Sequence, residues 1–530
     1  MSSRTIHIPY GETARFSELV TDLLSGAGSL QDHYAFSPDL EGLRAAALAR
    51  EFSVADRAVL CDALERQYKG IELGEATARN LSLLRKDGTL TVTTGHQLCL
   101  FTGPLYVPYK ILNAIRLARS ATEQFGKPVV PVFWMATEDH DVEEIDHAQI
   151  GATTVRWTGA GSGPVGRMRL KEITTAVEEA IEVLGPGKDA PIVADLLRQA
   201  YTPQRTLAEA TRHFVHALFG RFGLLILDGD DAELKHLFAP VVQEELLNQV
   251  AVRAVGYANE KLSEKYGVQA HAREINVFHL RPGGRSRIVL EEDHLQVLNG
   301  GPRWTVEEAI AAVEIRPQDF SPNVILRPIY QERILPNIGY IGGGGEIAYW
   351  MQLRWLFQAL QVPMPVVLLR TSAATTTKKH MDQWEALGLS ASELFQPLDE
   401  VKAKVARERS SFSVSLIEER EALERLYDGI RERVERVDVT LKGSVEARRT
   451  HALQGLERIE KGLLRAAKRE LDTALRQMDA ANASLFPQGG LQERKANILP
   501  LLAAKGLGEL DRLLEELDPL HPRFTLFVED

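Results

Sequence analysis

The sequence predicts an α/β fold built on a parallel sheet, with a helical C-terminal part. Residues 89–94 are rich in β-branched side chains and are typical of a strand. A glycine-containing loop, a helical period over 109–119 and a continuous apolar run at 129–136 follow in that order. Strand, helix and strand form a βαβ unit, which implies parallel strands with right-handed crossovers. Apolar runs at 224–227 and 365–369 predict further strands of this sheet.

Helices and a second group of strands are predicted around this core. Apolar residues recur at helical spacing between 16 and 60. Short β-rich segments at 276–280, 287–290 and 295–298, separated by glycine turns, predict an inserted α+β subdomain. The segment 524–528 predicts a last strand that returns to the body.

The C-terminal region carries the apolar repeat of long amphipathic helices. One series steps alternately by four and three residues, as in an a/d seam: Leu423, Tyr427, Ile430, Val434, Val437 and Leu441. Gly443 interrupts the repeat, and a second series follows: Leu456, Ile459, Leu463, Leu471, Leu475 and Met478. The two series predict either a helical hairpin packed on its own body, which the short repeat favours, or a coiled coil that pairs two subunits.

Composition and charge exclude several classes of protein. Of the 530 residues, 44% are hydrophobic and 25% are charged, which is typical of a globular chain of about three domains and not of a disordered or fibrous one. The net charge of −11 argues against binding nucleic acid through bulk charge, and no apolar run approaches the ~20 residues that span a bilayer. The only cysteines, Cys61 and Cys99, exclude a disulfide framework. We expect a cytoplasmic protein.

The first candidate site follows the first predicted strand. It combines a glycine-containing turn with a second glycine before the predicted helix: Thr94, Gly95, His96, Gln97 and Gly103. Glycines let a ligand approach the backbone closely, and helix N-terminal N–H groups suit an anion. The pattern is neither the dinucleotide fingerprint nor the P-loop. We interpret it as a binding loop, with a tight strand-to-helix turn as the alternative.

An acidic, histidine-rich segment at 137–147 follows the second predicted strand. Acidic groups at a strand end suit an amine substrate, which they hold or deprotonate. A solvated helix start is the alternative, because acidic side chains complement the helix dipole. If a helix covers the segment, His140, Glu144 and His147 share one face and form a candidate metal site, the third interpretation.

Glycine and basic residues mark the third candidate region. Four consecutive glycines at 342–345 precede Glu346 and an aromatic helix. Such a loop loses much entropy on ordering, which indicates that something passes close to its backbone. After the last predicted strand, Arg370 and Lys378 are placed either to neutralise phosphates or to lie on a solvated helix face.

Five sequence blocks, in one order and covering nearly the whole chain, make a more specific signal than any single motif: 94–106, 131–141, 326–331, 342–350 and 486–494. Together they resemble the BshC family, the cysteine ligases of bacillithiol biosynthesis. Two departures stand out: His96 stands where the family more often has Gln, and Gly344 where Pro is common.

The resemblance implies a Rossmann-like core related to class I aminoacyl-tRNA synthetases, with connecting-peptide insertions and a C-terminal coiled coil that dimerises. The implied division has four parts: 1–160, the first part of the core; 161–320, core strands with insertions; 321–385, the last part of the core; and 386–530, the coiled-coil arm and terminal segment. The HIGH and KMSKS signatures of tRNA synthetases are absent, so we do not expect tRNA aminoacylation.

The resemblance also implies an enzyme that adds L-cysteine to glucosaminyl-malate, with ATP or ADP as the associated nucleotide and no metal. The residues expected to hold or deprotonate the amine are Asp139, His140 and Asp141. Those expected to bind substrate are Thr94, Gly95, His96, Gln97, Gly103, Arg327, Tyr330 and Arg370. Those expected to bind the nucleotide are Gly343, Gly344, Glu346 and Lys378.

Two rival functions stay open on the sequence. One is a metal-dependent hydrolase that uses His140, Glu144 and His147. The other is a non-catalytic scaffold whose coiled coil is the functional part. The expected partners are small-molecule substrates and a second copy of the chain, without nucleic acid or membrane.

Overall fold

The computed structural model describes residues 4–530. Its strands are β1 (Arg4–Pro9), β2 (Leu90–His96), β3 (Val129–Met135), β4 (His147–Ile150), β5 (Thr153–Arg156), β6 (Leu225–Asp228), β7 (Val277–Arg281), β8 (Gly284–Glu291), β9 (His294–Val297), β10 (Arg303–Thr305), β11 (Phe320–Pro322), β12 (Asn337–Gly342), β13 (Val366–Leu369), β14 (Ala373–Thr377) and β15 (Arg523–Glu529).

Helices make up most of the remaining structure. In the first two thirds of the chain they are α1 (Tyr10–Thr13), α2 (Glu18–Ser25), α3 (Leu40–Ala49), α4 (Val54–Gln67), α5 (Glu75–Leu84), α6 (Tyr106–Phe125), α7 (Val142–Ile145), α8 (Ile173–Leu184), α9 (Ala190–Ala200), α10 (Leu207–Phe219), α11 (Ala232–Asn248), α12 (Val250–Leu262), α13 (Val306–Ile315), α14 (Arg327–Ile334), α15 (Gly344–Trp350) and α16 (Arg354–Ala359).

The last third of the chain is mainly helical. Its helices are α17 (Lys378–Ala386), α18 (Leu398–Arg409), α19 (Ile417–Val437), α20 (Lys442–Glu470), α21 (Asp472–Leu485), α22 (Leu499–Lys505) and α23 (Glu509–Glu516). Across residues 4–530, no helix combines the length and the apolar character needed to cross a membrane.

A parallel sheet of five strands forms the core, in the order β13-β12-β2-β3-β6. The chain runs outward from β2 through β3 to β6, then returns to the other side of β2 with β12 and β13. The strand order therefore reverses between β2 and β12. At such a switch point, the crevice at the carboxyl ends of the strands is where open α/β sheets bind ligands.

Four of the five core strands are confirmed predictions: the runs at 89–94, 129–136, 224–227 and 365–369 form β2, β3, β6 and β13. The sequence does not predict β12, although all of its residues are buried. Two glycines mask its strand character. Gly339 packs closely against α3, because a Cβ there would lie 3.0 Å from Leu43 Cδ2 and the leucine side chain would have to shift slightly.

The inserted subdomain is also confirmed. It contains an antiparallel sheet in the order β10-β9-β8-β7-β11, and its three predicted strands are β7, β8 and β9. The β7–β8 hairpin turns through Gly283, whose φ of +73° lies in the left-handed region that favours glycine. Side chains of β7 and β8 line the same cleft as the end of β2, so the insertion lies over the carboxyl edge of the core sheet.

The predicted strand at 524–528 is confirmed as β15. It pairs with β1 in antiparallel orientation and with β14 in parallel orientation. The end of the chain is thereby joined in one sheet with its beginning and with the strand that follows the core sheet.

Two long helices, α19 and α20, form an antiparallel hairpin that we call the helical arm (residues 417–470). The turn lies at Val439–Leu441, so the break falls before Gly443, which lies inside α20. Helix α19 buries no residue, whereas Ala467 near the end of α20 packs with Ala406 and Val414. The predicted hairpin is therefore present, but its first helix packs on α20 and not on the body.

Candidate active-site cleft

A cleft of about 760 Å³ opens at the carboxyl ends of β2, β3 and β12. The strand ends form its floor, β7 and β8 of the insertion form a wall, and Arg494 reaches it from the C-terminal part. Six arginines but only three carboxylates line it. The cleft is therefore positive within a chain of net charge −11, which favours an anionic ligand.

His96 ends β2 and lines the floor beside Tyr106. Its Nε2 lies 3.1 Å from the Tyr106 hydroxyl, and its Nδ1 lies 3.1 Å from the Gln97 carbonyl oxygen. Burial, reinforced by the ammonium of Lys110, lowers the pKa of His96 to about 4. The imidazole is therefore neutral at physiological pH and acts as a hydrogen-bonding group.

A buried ion pair supports the floor. The Lys110 side chain in α6 is 1% exposed, and its ammonium donates to the Gly95 carbonyl and, at 2.7 Å, to Glu346 Oε2. Glu346 also accepts hydrogen bonds from the Gly343 amide and the Tyr340 hydroxyl. Burial alone would raise the carboxyl pKa, but Lys110 and these donors hold the pKa of Glu346 at about 2. Glu346 is therefore ionised, and its hydrogen bond from the Gly343 amide holds the glycine loop in place.

The glycine loop 343–345 presents its backbone to the cleft. None of its residues has a positive φ. A Cβ on Gly345 would meet no atom within 4 Å, and one on Gly344 would meet only Val20 Cγ2, at 3.6 Å. Neither backbone conformation nor crowding inside the protein requires glycine at these two positions. The free space in front of them belongs to the cleft, as expected where a ligand approaches the main chain.

The C-terminal part of the chain completes the floor. Glu493 is fully buried; it accepts a hydrogen bond from Arg370 Nη2 at 2.7 Å and another from the Ala373 amide at 2.9 Å. Arg370 Nε finds no hydrogen-bond partner within residues 4–530, although this buried side chain lines the cleft. A buried N–H without an acceptor is costly, so this atom points to an acceptor on a ligand. Arg494, next in the chain, is exposed at the cleft.

Only part of the acidic segment reaches the cleft. Glu138 is paired with Lys235 at 2.6 Å, and burial raises its pKa. Asp139 accepts a hydrogen bond from Gln97 Nε2 at 2.7 Å, and its Oδ1 lies 3.5 Å from Arg285 Nη1. At 31% exposure, the Asp139 side chain is more accessible than those of Glu138 (12%) and Glu346 (26%). Asp139 is therefore the cleft carboxylate most available to a substrate.

The one-face arrangement predicted for His140, Glu144 and His147 is wrong. Helix α7 is a single turn that ends at Ile145, and His147 begins β4, so the three side chains do not share a helix face. Within the part of the chain that the structure describes, no three His, Cys, Asp or Glu residues are grouped to hold a metal ion.

Nine of the predicted site residues are brought together in the cleft: Gly95, His96, Gln97, Asp139, Arg327, Gly343, Gly344, Glu346 and Arg370. They come from five separate stretches of chain, which meet at the switch point of the sheet. Arg327 is oriented by Gln331 Oε1, which accepts a hydrogen bond from its Nη1 at 2.9 Å.

Three predicted residues are buried behind the cleft instead. Thr94 donates to the Ile341 carbonyl at 2.8 Å and ties β2 to β12. Gly103 has φ +67°, and a Cβ there would lie 2.5 Å from Cys99 Cβ, so this tight turn requires glycine. Tyr330 donates to the Gly229 carbonyl at 2.6 Å. Burial also raises the pKa of Cys99 to about 12, which fits the structural thiol expected from the sequence and not a nucleophile.

The other three predicted residues are exposed and do not line the cleft. His140 lies at its margin, where its Nδ1 is 3.4 Å from Arg285 Nη1. Asp141 precedes α7, and Lys378 begins α17, a helix that packs on α21 in the C-terminal part. Lys378 therefore does not reach the cleft and is not placed there to bind a nucleotide.

Two family models match the chain. Residues 1–371 match "Bacillithiol biosynthesis BshC, N-terminal Rossmann-like domain", and residues 373–529 match "Bacillithiol biosynthesis BshC, C-terminal coiled-coil domain". A curated protein of Flavobacterium johnsoniae named "Putative cysteine ligase BshC" is 37% identical over 524 residues, which cover 98% of this chain and 99% of that one. A protein of the same name from Flavobacterium psychrophilum is 36% identical over 526 residues, 98% of each chain.

One solved structure, Mycobacterium tuberculosis methionyl-tRNA synthetase in complex with methionyl-adenylate, covers 80% of this chain and 91% of that chain at 11% identity. Its TM-score of 0.21 is too low to establish a common fold. The Rossmann-like core follows instead from the strand order and the first family model, and the coiled-coil domain from the arm and the second. Because both models and the full-length relatives agree, the chain belongs to the BshC family of bacillithiol biosynthesis.

Proposed function

We propose that this protein joins the carboxyl group of cysteine to the amine of glucosaminyl-malate, the last step of bacillithiol biosynthesis. Family membership supports the proposal, because the relatives bear the name of a cysteine ligase. The observation that carries it is the cleft at the switch point, where six arginines surround one available carboxylate, Asp139. Arginines bind the carboxylates of a malate group in bidentate fashion, and a free carboxylate suits an amine.

The malate group fits the core side of the cleft. Arg327 and Arg494 line it, and no carboxylate within residues 4–530 forms an ion pair with either. Arg370 is neutralised by Glu493 but still offers its free Nε.

Asp139 is the group that would accept the amine proton. Glu138 and Glu346 are each paired with a buried lysine, and both ring nitrogens of His96 already have neighbours, the Tyr106 hydroxyl and the Gln97 carbonyl. Asp139 is fixed by Gln97 yet remains partly open to the cleft. His96 and Tyr106 then act as neutral hydrogen-bonding groups beside the amine.

Amide formation also needs an activated carboxyl group, which a bound nucleoside triphosphate would supply. The amine reacts in its neutral form, after its ammonium proton has passed to solvent. Its nitrogen then forms the C–N bond, the activating group leaves with one former carboxyl oxygen, and the second proton lost by the nitrogen passes to Asp139. The residues fit such a ligand: the glycine loop is open, and the cleft has more arginines than carboxylates. Gly343 and Gly344 lie where it could approach the main chain, whereas Glu346 supports the loop and Lys378 lies elsewhere.

The helical arm supports a second part of the proposal, a homodimer that pairs through it. The arm exposes a set of large apolar side chains: Ile417, Leu426, Val437, Val439, Leu441 and Ile459. A hairpin that leaves these groups in water is typical of a surface that a second copy covers.

Asp139→Asn in purified protein tests the catalytic assignment. With cysteine, glucosaminyl-malate and ATP, we expect product formation to fall about a hundredfold or more, because general-base catalysis is typically worth ~10²–10⁴-fold. Glu143→Gln is the matched control, since Glu143 is an exposed carboxylate of α7 outside the cleft. Unchanged turnover in Asp139→Asn would remove Asp139 from the mechanism.

A further inference from the structure

The inserted sheet contributes a second group of arginines, separate from those of the core side. Arg273, Arg285 and Arg287 line the cleft from the segment before β7 and from β8. Of the core arginines, Arg327 begins α14 and Arg370 directly follows β13. The cleft therefore presents cationic groups from two structural units, and a single malate group does not need both.

The guanidinium groups of Arg273 and Arg287 are available to a ligand. Neither side chain donates a hydrogen bond or forms an ion pair within residues 4–530, and Arg273 is exposed. Arg285 differs, because it donates to Ser321 Oγ and the Pro322 carbonyl, lies over the Phe278 ring at 4.2 Å and faces Asp139. Two free guanidinium groups thus lie beside one that is fixed in place.

The backbone that carries Arg273 is held by buried side chains on both sides. The Asn276 side chain bonds both the amide and the carbonyl of Arg273, and Asn276 is fixed in turn by the fully buried Glu245. Upstream, the fully buried Gln352 bonds both the amide and the carbonyl of Ala270. Arg287 lies in β8, between β7 and β9. The backbone at both arginines is therefore fixed before any ligand binds, whereas their guanidinium groups have no partner within residues 4–530.

We infer that Arg273 and Arg287, beside Arg285, form a subsite for the phosphate groups of the activating nucleotide. The inference rests on the proposed ligase function. In it, Arg273 and Arg287 take the phosphate-binding role that the sequence predicts for Lys378. A polyphosphate carries several negative charges and suits several guanidinium forks, whereas the core side already offers three donors to a dicarboxylate.

Binding of inorganic pyrophosphate and of ADP, measured by titration calorimetry, tests the subsite without requiring turnover. We expect Arg273→Gln and Arg287→Gln each to weaken both ligands about tenfold, since a charge-assisted hydrogen bond is worth ~1.5–3 kcal/mol. Malate binding should stay unchanged in both variants and weaken in Arg494→Gln. Arg303→Gln is the control, because Arg303 is an exposed arginine of the same sheet outside the cleft.

Pyrophosphate and ADP affinities that stay unchanged in Arg273→Gln overturn the inference, and the exposure of Arg273 makes misfolding a poor explanation. Weakened malate binding in the same variant also overturns it, because the insertion would then hold the carboxylates. If the variants lose pyrophosphate binding but the wild-type protein forms no amide with ATP, the subsite stands and the proposed ligase function fails.

Discussion

The cleft and the helical arm use the same charged residue types in opposite ways. In the cleft, the Lys110–Glu346 and Arg370–Glu493 pairs have lysine and arginine side chains that are at most 5% exposed. In the arm, the Lys461–Glu457 pair has side chains 66% and 52% exposed. Buried charges are fixed and strongly coupled, whereas exposed ones are screened by water and salt. In this chain, buried ion pairs mark the cleft. A high density of charged residues along the sequence does not, because the arm is also rich in them.

The largest effect is expected from Glu493→Gln. The substitution leaves Arg370 buried without its counter-charge, which should lower the free energy of unfolding by about 3–5 kcal/mol and reduce activity, because Arg370 lines the cleft. Denaturation by urea measures the loss. The control is Glu385→Gln, which breaks the exposed Arg4–Glu385 pair and should cost less than about 1 kcal/mol. Equal losses in the two variants would contradict the comparison.

A smaller effect, dependent on pH, is expected at Glu332. Burial, only partly offset by Arg50, raises the pKa of this fully buried carboxyl to about 7, against 4.5 ordinarily. Between these values the folded protein binds more protons than the unfolded chain, so stability falls as pH rises from about 4.5 to 7 and then levels off. The total loss of unfolding free energy over this pH range amounts to roughly 3 kcal/mol. Glu332→Gln should abolish it.

Unfolding free energies of the wild-type protein and Glu332→Gln at several pH values between 5 and 8 provide the measurement. Glu332 accepts a hydrogen bond from Gln331, which in turn orients Arg327, so the same variant should also weaken substrate binding modestly. Parallel stability curves for the two proteins would show that Glu332 does not titrate in this range.

The smallest effect on stability is expected in the arm. Val437 is 85% exposed, so Val437→Glu should leave the free energy of unfolding of one chain nearly unchanged. If the arm pairs two copies, the introduced charge should shift the sedimenting species from dimer towards monomer. Arg433→Glu, at an exposed polar position of the same helix, is the control. A wild-type protein that sediments as a monomer would rule out the dimer.

The sequence predicts the elements whose signal is local. The apolar runs of β2, β3, β6 and β13 need no partner to be recognised. β12 is missed because its glycines serve packing and the cleft, requirements that only the folded sheet imposes.

The candidate site is predicted unevenly for the same reason. Gly95, His96 and Gln97 lie next to a recognisable strand end, whereas Glu493 and Arg494 lie more than a hundred residues beyond the last core strand. Lys378 follows that strand closely in sequence, but the chain turns away into β14 and α17. No local sequence pattern indicates that Glu245 and Gln352 fix the backbone around Arg273 in the insertion. The full cleft forms only when residues of both family domains come together in the folded chain.

The central claim is that this cleft joins cysteine to glucosaminyl-malate. A thiol-metabolite profile of cells that lack the protein, with and without a plasmid-borne copy, tests it most directly. The account predicts that glucosaminyl-malate accumulates, that its cysteinyl product disappears, and that the wild-type copy but not Asp139→Asn restores the product. Cells that lack the protein and still contain the product at the normal level would contradict it.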